Sequence, residues 1–265
     1  MFNVLQQISL PGSENNDDRL LVSDNYLVLL DGATSLVPSD NDAAWFTDTF
    51  MSQFEEQIRE TQDLPSAINA SIADVKKIFV SSSKNRGALY YPSAAGILMF
   101  LHDDMLQFVS IGDCTAVIKF NDGKEIRIHK DDVDTMDNRV LEAIRTLSDV
   151  KRLTRNEVLH TIEIRNMLVH NRKMMNKKAG YRILSVNMKP ISKEDVDYFA
   201  PNDISSILLF SDGFDICEDE LRREDPDFQR AGLILRQRES KDTDLSMYPR
   251  FKMHDDATAV LCTVK

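Results

Sequence analysis

A chain of 265 residues, 42% hydrophobic and 28% charged, is long enough for one large domain or two small ones and can bury a substantial core. Its formal net charge of −11 excludes a general nucleic-acid binder, which needs a basic footprint, and no apolar run approaches the roughly 20 residues that span a bilayer. The N-terminus lacks the basic and apolar regions of a signal peptide, and Cys114, Cys217 and Cys262 are odd in number and far apart, as expected of small buried thiols in a reducing cytoplasm.

In chain order, the pattern predicts strands at Phe2–Leu10 and Tyr26–Leu30, followed by two helices. In Ser39–Arg59 the residues Phe46, Phe50, Phe54 and Ile58 recur every fourth position, and Pro65–Val80 repeats this with Ile68, Ile72, Val75 and Phe79. Trp45 reads as an anchor packing the first helix on a sheet. Strands follow at Gly96–Leu101, Met105–Ile111, Thr115–Phe120 and Glu125–His129. Thr135–Lys178 reads as mostly helical, with Thr154 and Glu157 forming a capping box. A strand at Arg182–Met188, a strand at Ser205–Phe210, a helix around Pro226–Glu239 and a strand at Ala257–Val264 complete the chain. Hairpin-linked strands with segregated helix pairs point to an α+β fold and not to a doubly wound parallel sheet. A single domain over residues 1–265 with a helical insertion at about 131–180 is the simplest organisation.

One arrangement recurs along these elements. Tyr26–Leu30 runs into Asp31-Gly32, Met105–Ile111 into Gly112-Asp113, and Ser205–Phe210 into Ser211-Asp212-Gly213-Phe214-Asp215. His254-Asp255-Asp256 directly precedes the last strand, and Asn15-Asn16-Asp17-Asp18 precedes Leu20-Leu21-Val22. Carboxylates beside buried strands are costly unless cations neutralise them or some take up protons. Apart from Arg19, no Lys or Arg stands among these motifs. Oxygen ligands in number favour Mg²⁺ or Mn²⁺ over zinc, and paired divalent ions activate water against a phosphate ester. The competing explanation is turn chemistry, for which the chain carries its own control. Asn121-Asp122-Gly123-Lys124 lies between two strands and is accounted for by a hairpin, whereas no strand returns directly after Asp31-Gly32 or Asp212-Gly213.

The ordered set Asn16-Asp17-Asp18-Arg19, Leu30-Asp31-Gly32, Pro92-Ser93-Ala94-Ala95-Gly96, Ile111-Gly112-Asp113-Cys114, Phe210-Ser211-Asp212-Gly213-Phe214-Asp215 and Asp255-Asp256-Ala257-Thr258 resembles the metal-dependent serine/threonine protein phosphatases of type 2C, the PPM family. The resemblance spans nearly the whole chain. It implies a four-layer α-β-β-α sandwich of two antiparallel sheets flanked by helices, with two Mn²⁺ or Mg²⁺ ions at one end and a weaker third. By position, Asp31 bridges two metals and the Gly32 carbonyl ligates one of them. Asp212 and Asp255 complete the first ion, so that Asp31, Asp212 and Asp255 form the catalytic set. Asp17 or Asp18 reaches the second ion, and Asp113 helps hold the third. The implied reaction is attack by metal-bound hydroxide on phosphoserine or phosphothreonine of a protein substrate, in a cytoplasmic, monomeric enzyme of bacterial type without nucleic-acid or membrane partners.

Three positions depart from the family pattern. Asp31-Gly32 is followed by Ala33-Thr34-Ser35, which removes the histidine proposed as general acid in some members. Ser13 and Glu14 stand where many members carry a phosphate-binding arginine, and Pro92-Ser93-Ala94-Ala95 replaces a Gly-(Ser/Thr)-Thr-Ala strand start. A phosphatase-like module that holds metal and senses a partner without turnover is the alternative these departures suggest. The basic stretch Arg165, Arg172, Lys173, Lys177, Lys178 and Arg182 either supplies a phosphate contact or docks an acidic partner; a solvated helix face is the simpler reading. His254 reads as a turn residue, and His102, His129, His160 and His170 show no metal-ligand spacing.

Overall fold

In Tyr26–Gly32 (β3), Leu27 and Leu29 point to one face, Val28 and Leu30 to the other, and all four are fully buried. A strand buried on both faces must lie between two layers. The computed structural model describes residues 1–85, 87–151, 154–248 and 250–264. The remaining elements are β1 (Phe2–Leu10), β2 (Arg19–Val22), α1 (Ala43–Thr61), α2 (Leu64–Ser82), β4 (Ser93–His102), β5 (Met105–Ile111), β6 (Thr115–Phe120), β7 (Glu125–Ile128), α3 (Asp132–Lys151), α4 (Arg155–Leu159), α5 (Ile162–Met174), β8 (Leu184–Ser185), β9 (Asp197–Phe199), β10 (Ile204–Phe210), α6 (Glu218–Leu221), α7 (Phe228–Lys241) and β11 (Ala257–Val264).

Two antiparallel sheets result. One has the order β1-β11-β10-β6-β7, the other β2-β3-β4-β5-β9 with β8 paired to the start of β4. Leu27, Leu29, Ile97 and Met99 of the second sheet meet Ala116, Ile118, Ile207, Leu209 and Val260 of the first in the central core. The outer face of the second sheet, including Val28, Leu30, Leu98 and Phe100, is covered by α1 and α2. The outer face of the first, including Val117, Leu208, Phe210 and Ala259, is covered by Phe228, Ala231 and Leu235 of α7. The fold is therefore an α+β sandwich of four layers, α-β-β-α.

Helix α1 begins where the Asp42 side chain accepts the Trp45 N–H at 2.9 Å, and ends at Gln62 in the left-handed region. Its rings Phe46, Phe50 and Phe54 stack at 6.2 and 6.0 Å and are fully buried, each worth about 1.5–3 kcal/mol of burial. Trp45 packs against the core between these helices and the sheet, with its ring tilted on Phe79 of α2.

The expected helix at 135–178 divides in three because two threonines start new helices. Thr154 forms the capping box with Glu157, and the Thr161 side chain accepts from the Ile164 N–H. The expected strand at 182–188 shrinks to Leu184–Ser185. From Gly96 onward β4 is flanked by β3 and β5, so β8 can pair only at the start of β4, and it does so at Ser93 and Ala94. The short strands β2 and β9 add to the sheet without a sequence pattern long enough to mark them.

Candidate metal centre

Antiparallel pairing carries the carboxylates to one end of the sandwich. The end of β3 lies beside the start of β4 (Asp31 opposite Ala95), and the end of β5 also faces β4 (Ile111 opposite Gly96). In the other sheet the end of β10 meets the starts of β6 and β11, with Phe210 opposite both Thr115 and Ala259. Asp31, Asp113, Asp212 and Asp255, which end or precede these strands, thus converge. With Gly32 they line one cavity of about 310 Å³. Gly112 allows the turn before Asp113, since its φ is +80° and a Cβ there would meet Ala95 at 2.6 Å.

The two aspartates of the N-terminal pair have different positions. Asp18 is 2% exposed and lies with the cavity residues: the Ser211 hydroxyl donates to its Oδ2 at 2.7 Å, while Oδ1 has no hydrogen-bond partner. The Thr258 N–H donates in turn to Ser211 Oγ at 2.9 Å. Asp17 instead lines a neighbouring hollow with Ser13, Asn15 and Asp42. Its backbone packs so tightly on Gly32 that a Cβ there would meet the Asp17 carbonyl at 2.6 Å. Asp256 organises this segment, accepting the Gly12 and Asp17 N–H groups at 2.7 and 2.8 Å.

Electrostatics follow from the crowding. Burial, then the charges of Asp18 and Asp113, hold the Asp31 carboxyl well above the usual carboxylate range. Burial, Asp31 and Asp255 do the same to Asp212. Burial pushes Asp18 up to about 8, and Asp212 and Asp256 add to the rise. Asp113 is pushed up to about 7 by burial and by Asp134 and Asp137 of α3. Such a set is stable only when it shares protons or holds cations.

Several members of the site were not anticipated. Contrary to the expectation that Arg19 is the only cation among the motifs, Lys252 Nζ lies 3.0 Å from Asp255 Oδ1, and Lys252 and Arg172 both line the cavity. Arg19 itself turns outward to Asp48. Lys252 sits in a loop whose course no strand or helix pattern marks. Its shape comes from buried Asp242, which accepts the Met247 and Tyr248 N–H groups and the Arg250 guanidinium. Glu239, 1% exposed on α7, pairs with His254 Nδ1 at 2.8 Å and accepts the Asp255 N–H at 3.3 Å. His254 is therefore a structural neighbour of Asp255, as a turn residue would be.

His129, for which no ligand spacing is visible, joins Asp131 and Asp134 in a group whose ligating atoms lie within 4.8 Å of one another. The His-x-Asp-x-x-Asp spacing is the signal that would have found it. His129 Nε2 is 2.6 Å from Asp134 Oδ2, and Asp134, Asp113, Asp137 and Asp215 border a hollow continuous with Asp212 and Asp255. The cavity's opposite wall is apolar, formed by Val133 and Met136 of α3, Leu159 of α4, Leu168 of α5 and Phe251.

A sandwich of two antiparallel sheets with an aspartate-lined cavity at one end offers a set of hard oxygen donors of the kind divalent cations prefer. The sequence matches the protein phosphatase 2C family over residues 11–247, and the chain belongs to that family. No curated protein matches it. Among solved structures it resembles the catalytic domain of the serine/threonine phosphatase PstP in complex with two manganese ions, at 17% identity, over 100% of this chain and 99% of that one, with a TM-score of 0.56. It also resembles Stp1 from Staphylococcus aureus (15% identity, 99% and 96% covered, TM-score 0.54) and PppA from Pseudomonas aeruginosa (12% identity, 100% and 98% covered, TM-score 0.54). No helix of the described residues is long and apolar enough to cross a membrane.

Proposed function

We propose that this protein phosphatase is a Mn²⁺- or Mg²⁺-dependent hydrolase of phosphoserine and phosphothreonine in proteins, with Asp31, Asp212 and Asp255 at its catalytic centre. The observation that carries the reading is the convergence of Asp31, Asp113, Asp212 and Asp255 in one cavity with more carboxylates than cations, beside buried Asp18, whose Oδ1 is left without a partner. The residues fit divalent ions of hard-oxygen preference. Asp31, Asp212 and Asp255 would hold one ion. Asp31 and the Gly32 carbonyl, with Asp17 or Asp18, would hold a second. Asp113, with Asp134 or Asp137 nearby, would hold a weaker third. The two manganese ions of the PstP structure support the same pair here.

Bound divalent ions lower the pKa of water and polarise phosphoryl oxygens. The chain's own groups do the rest. Ser211 fixes Asp18, Glu239 fixes the Asp255 backbone, and Asp256 ties the N-terminal segment to the start of β11. The apolar wall from α3, α4, α5 and Phe251 keeps bulk water from the reacting centre. We read residues 1–265 as one phosphatase domain in which 131–180 acts as a flap over the site. The three unpaired, buried cysteines support a reducing compartment, for which we propose the cytoplasm. Family membership and fold do not favour a module without turnover.

Hydrolysis of p-nitrophenyl phosphate and of a phosphothreonine peptide, with Mn²⁺ or Mg²⁺ and with chelator, tests the proposal. Activity should appear with metal and vanish with chelator. A wild-type protein that binds Mn²⁺ yet stays inert with both substrates and both metals would sink the enzyme reading.

A further inference from the structure

The basic stretch at 165–182 does not behave as one surface. Arg165, Lys173, Lys177 and Lys178 are exposed, and Arg182 forms a forked pair with Asp195. Arg172 differs from all of them: it is 8% exposed and lines the aspartate cavity from α5. The solvated-face reading therefore fails for this residue.

Its partners are unusual for a buried guanidinium. Arg172 Nη1 donates to Ser93 Oγ at 2.8 Å and Nη2 donates to the Thr34 carbonyl at 2.7 Å. Both acceptors are neutral. Among the described residues no carboxylate lies within ion-pair distance of it, although Asp137 attracts it from farther away. By contrast Arg127, Arg223, Arg236, Arg238 and Arg250 each pair directly with a carboxylate. Removing a cation from water is expensive, and two neutral hydrogen bonds do not cancel its charge. A guanidinium carries five N–H donors and only two of these are used.

The acceptors also fix its place. Thr34 follows Gly32 by two residues, Ser93 opens β4, and the Ala33 N–H donates to the Ser93 carbonyl at 3.0 Å. Arg172 is thus anchored on the two backbone segments that flank Asp31-Gly32. Its charge sits beside the carboxylate centre, in a chain that carries Ser13 and Glu14, and no arginine, ahead of the acidic pair Asp17-Asp18.

We infer that Arg172 is the phosphate-binding cation of this site, donating its remaining N–H groups to non-bridging oxygens of a phosphomonoester dianion or of the inorganic phosphate product. This rests on the phosphatase reading and adds where the substrate is held. A planar fork suits a phosphoryl group, and the anion supplies the direct ion pair that no carboxylate of the described residues makes with Arg172. Because Arg172 belongs to α5, phosphate binding depends on that helix being seated on Thr34 and Ser93. The 131–180 segment then contributes a ligand to the substrate as well as a wall.

The test is calorimetric titration of inorganic phosphate into the full-length, Mn²⁺-loaded protein, beside steady-state kinetics with p-nitrophenyl phosphate. Arg172→Ala should weaken phosphate binding about 10–100-fold and raise KM in parallel, with a smaller change in kcat. Arg172→Lys, which keeps the charge and loses the fork, should fall between. Mn²⁺ affinity measured without phosphate should stay within about threefold, and Lys173→Ala, an exposed charge on the same helix, should bind phosphate as the wild type does. Should Arg172→Ala not fold, Arg172→Gln, a neutral donor, carries the test. Wild-type phosphate affinity in a folded Ala or Gln variant overturns the inference, as does an equal loss of Mn²⁺ affinity, which would make Arg172 a tether. A wild type that binds phosphate through Arg172 but turns over no ester would keep this assignment and defeat the catalytic reading; turnover indifferent to Arg172 would do the reverse.

Discussion

At Asp122-Gly123, between β6 and β7, the glycine has φ +85° and nothing lies near the position of a Cβ. The carboxyl of Asp122 is exposed, and the Lys124 ammonium and N–H hold it below the usual range. The same dipeptide at Asp31-Gly32 continues strand β3 to its end, packs against Asp17, and turns a carboxyl into a cavity where burial and other aspartates push it well up. A third situation is Asp242. Burial alone would raise its carboxyl, but the Met247 and Tyr248 N–H groups and Arg250 bring it below its ordinary value. Residue type and dipeptide are therefore poor guides to role; the informative difference is whether a buried carboxylate has protein donors enough to neutralise it. Asp242 has them, and Asp31 does not.

The comparison can be broken most directly through activity. Asp31→Asn and Asp212→Asn should each lower Mn²⁺-dependent kcat/KM for an aryl phosphate by about 10³-fold, while Asp122→Asn should stay within about twofold. Retained activity in Asp31→Asn would place the chemistry elsewhere. The next effect is on stability. Asp242→Asn removes the buried carboxylate that pairs with Arg250 and accepts the Met247 and Tyr248 N–H groups, and should cost about 3 kcal/mol in urea unfolding, against at most about 0.5 kcal/mol for Asp122→Asn.

The smallest effect has the opposite sign and sharpens the contrast. In chelator at pH 8, Asp31→Asn should stabilise the protein, on the order of 1–2 kcal/mol, because it removes a buried, crowded carboxyl that no ion neutralises. The pH dependence follows. Asp18 binds its proton up to about pH 8 in the folded state and only to its usual 3.8 when unfolded. Between those values the native state holds more protons, so the stability of chelated protein falls as pH rises from about 4 to about 8. Calorimetric melting at pH 5.5 and pH 8 checks this, and millimolar Mn²⁺ should abolish the difference. A chelated protein equally stable at both pH values would contradict the assigned crowding.

Much of this molecule is legible in local pattern. The bounds of β1, β5, β6 and β11 coincide with the predicted runs, since alternating burial is written into side-chain order. The faces of α1 and α2 follow from Phe46, Phe50, Phe54 and Ile58 and from Ile68, Ile72, Val75 and Phe79 for the same reason. The aspartates at strand ends were visible because motif and strand adjoin in the chain. What the sequence did not disclose depends on contacts between distant segments. Asp17 and Asp18 are neighbours with equal chemistry, and only the approach of Ser211 to one of them and of Gly32 to the other separates their surroundings. Lys252 meets Asp255 because buried Asp242 shapes the loop between them and α7. Arg172 looks like its exposed neighbours until α5 docks on Thr34 and Ser93, residues far away in the chain. The long strands β1, β5, β6 and β11 and the helices α1 and α2 were thus determined by the sequence's own periodicity. Which charges face one another, and which of them remain uncompensated, was decided by the tertiary structure, because electrostatic partnership depends on distance in space and on exclusion of water, neither of which is local in the chain.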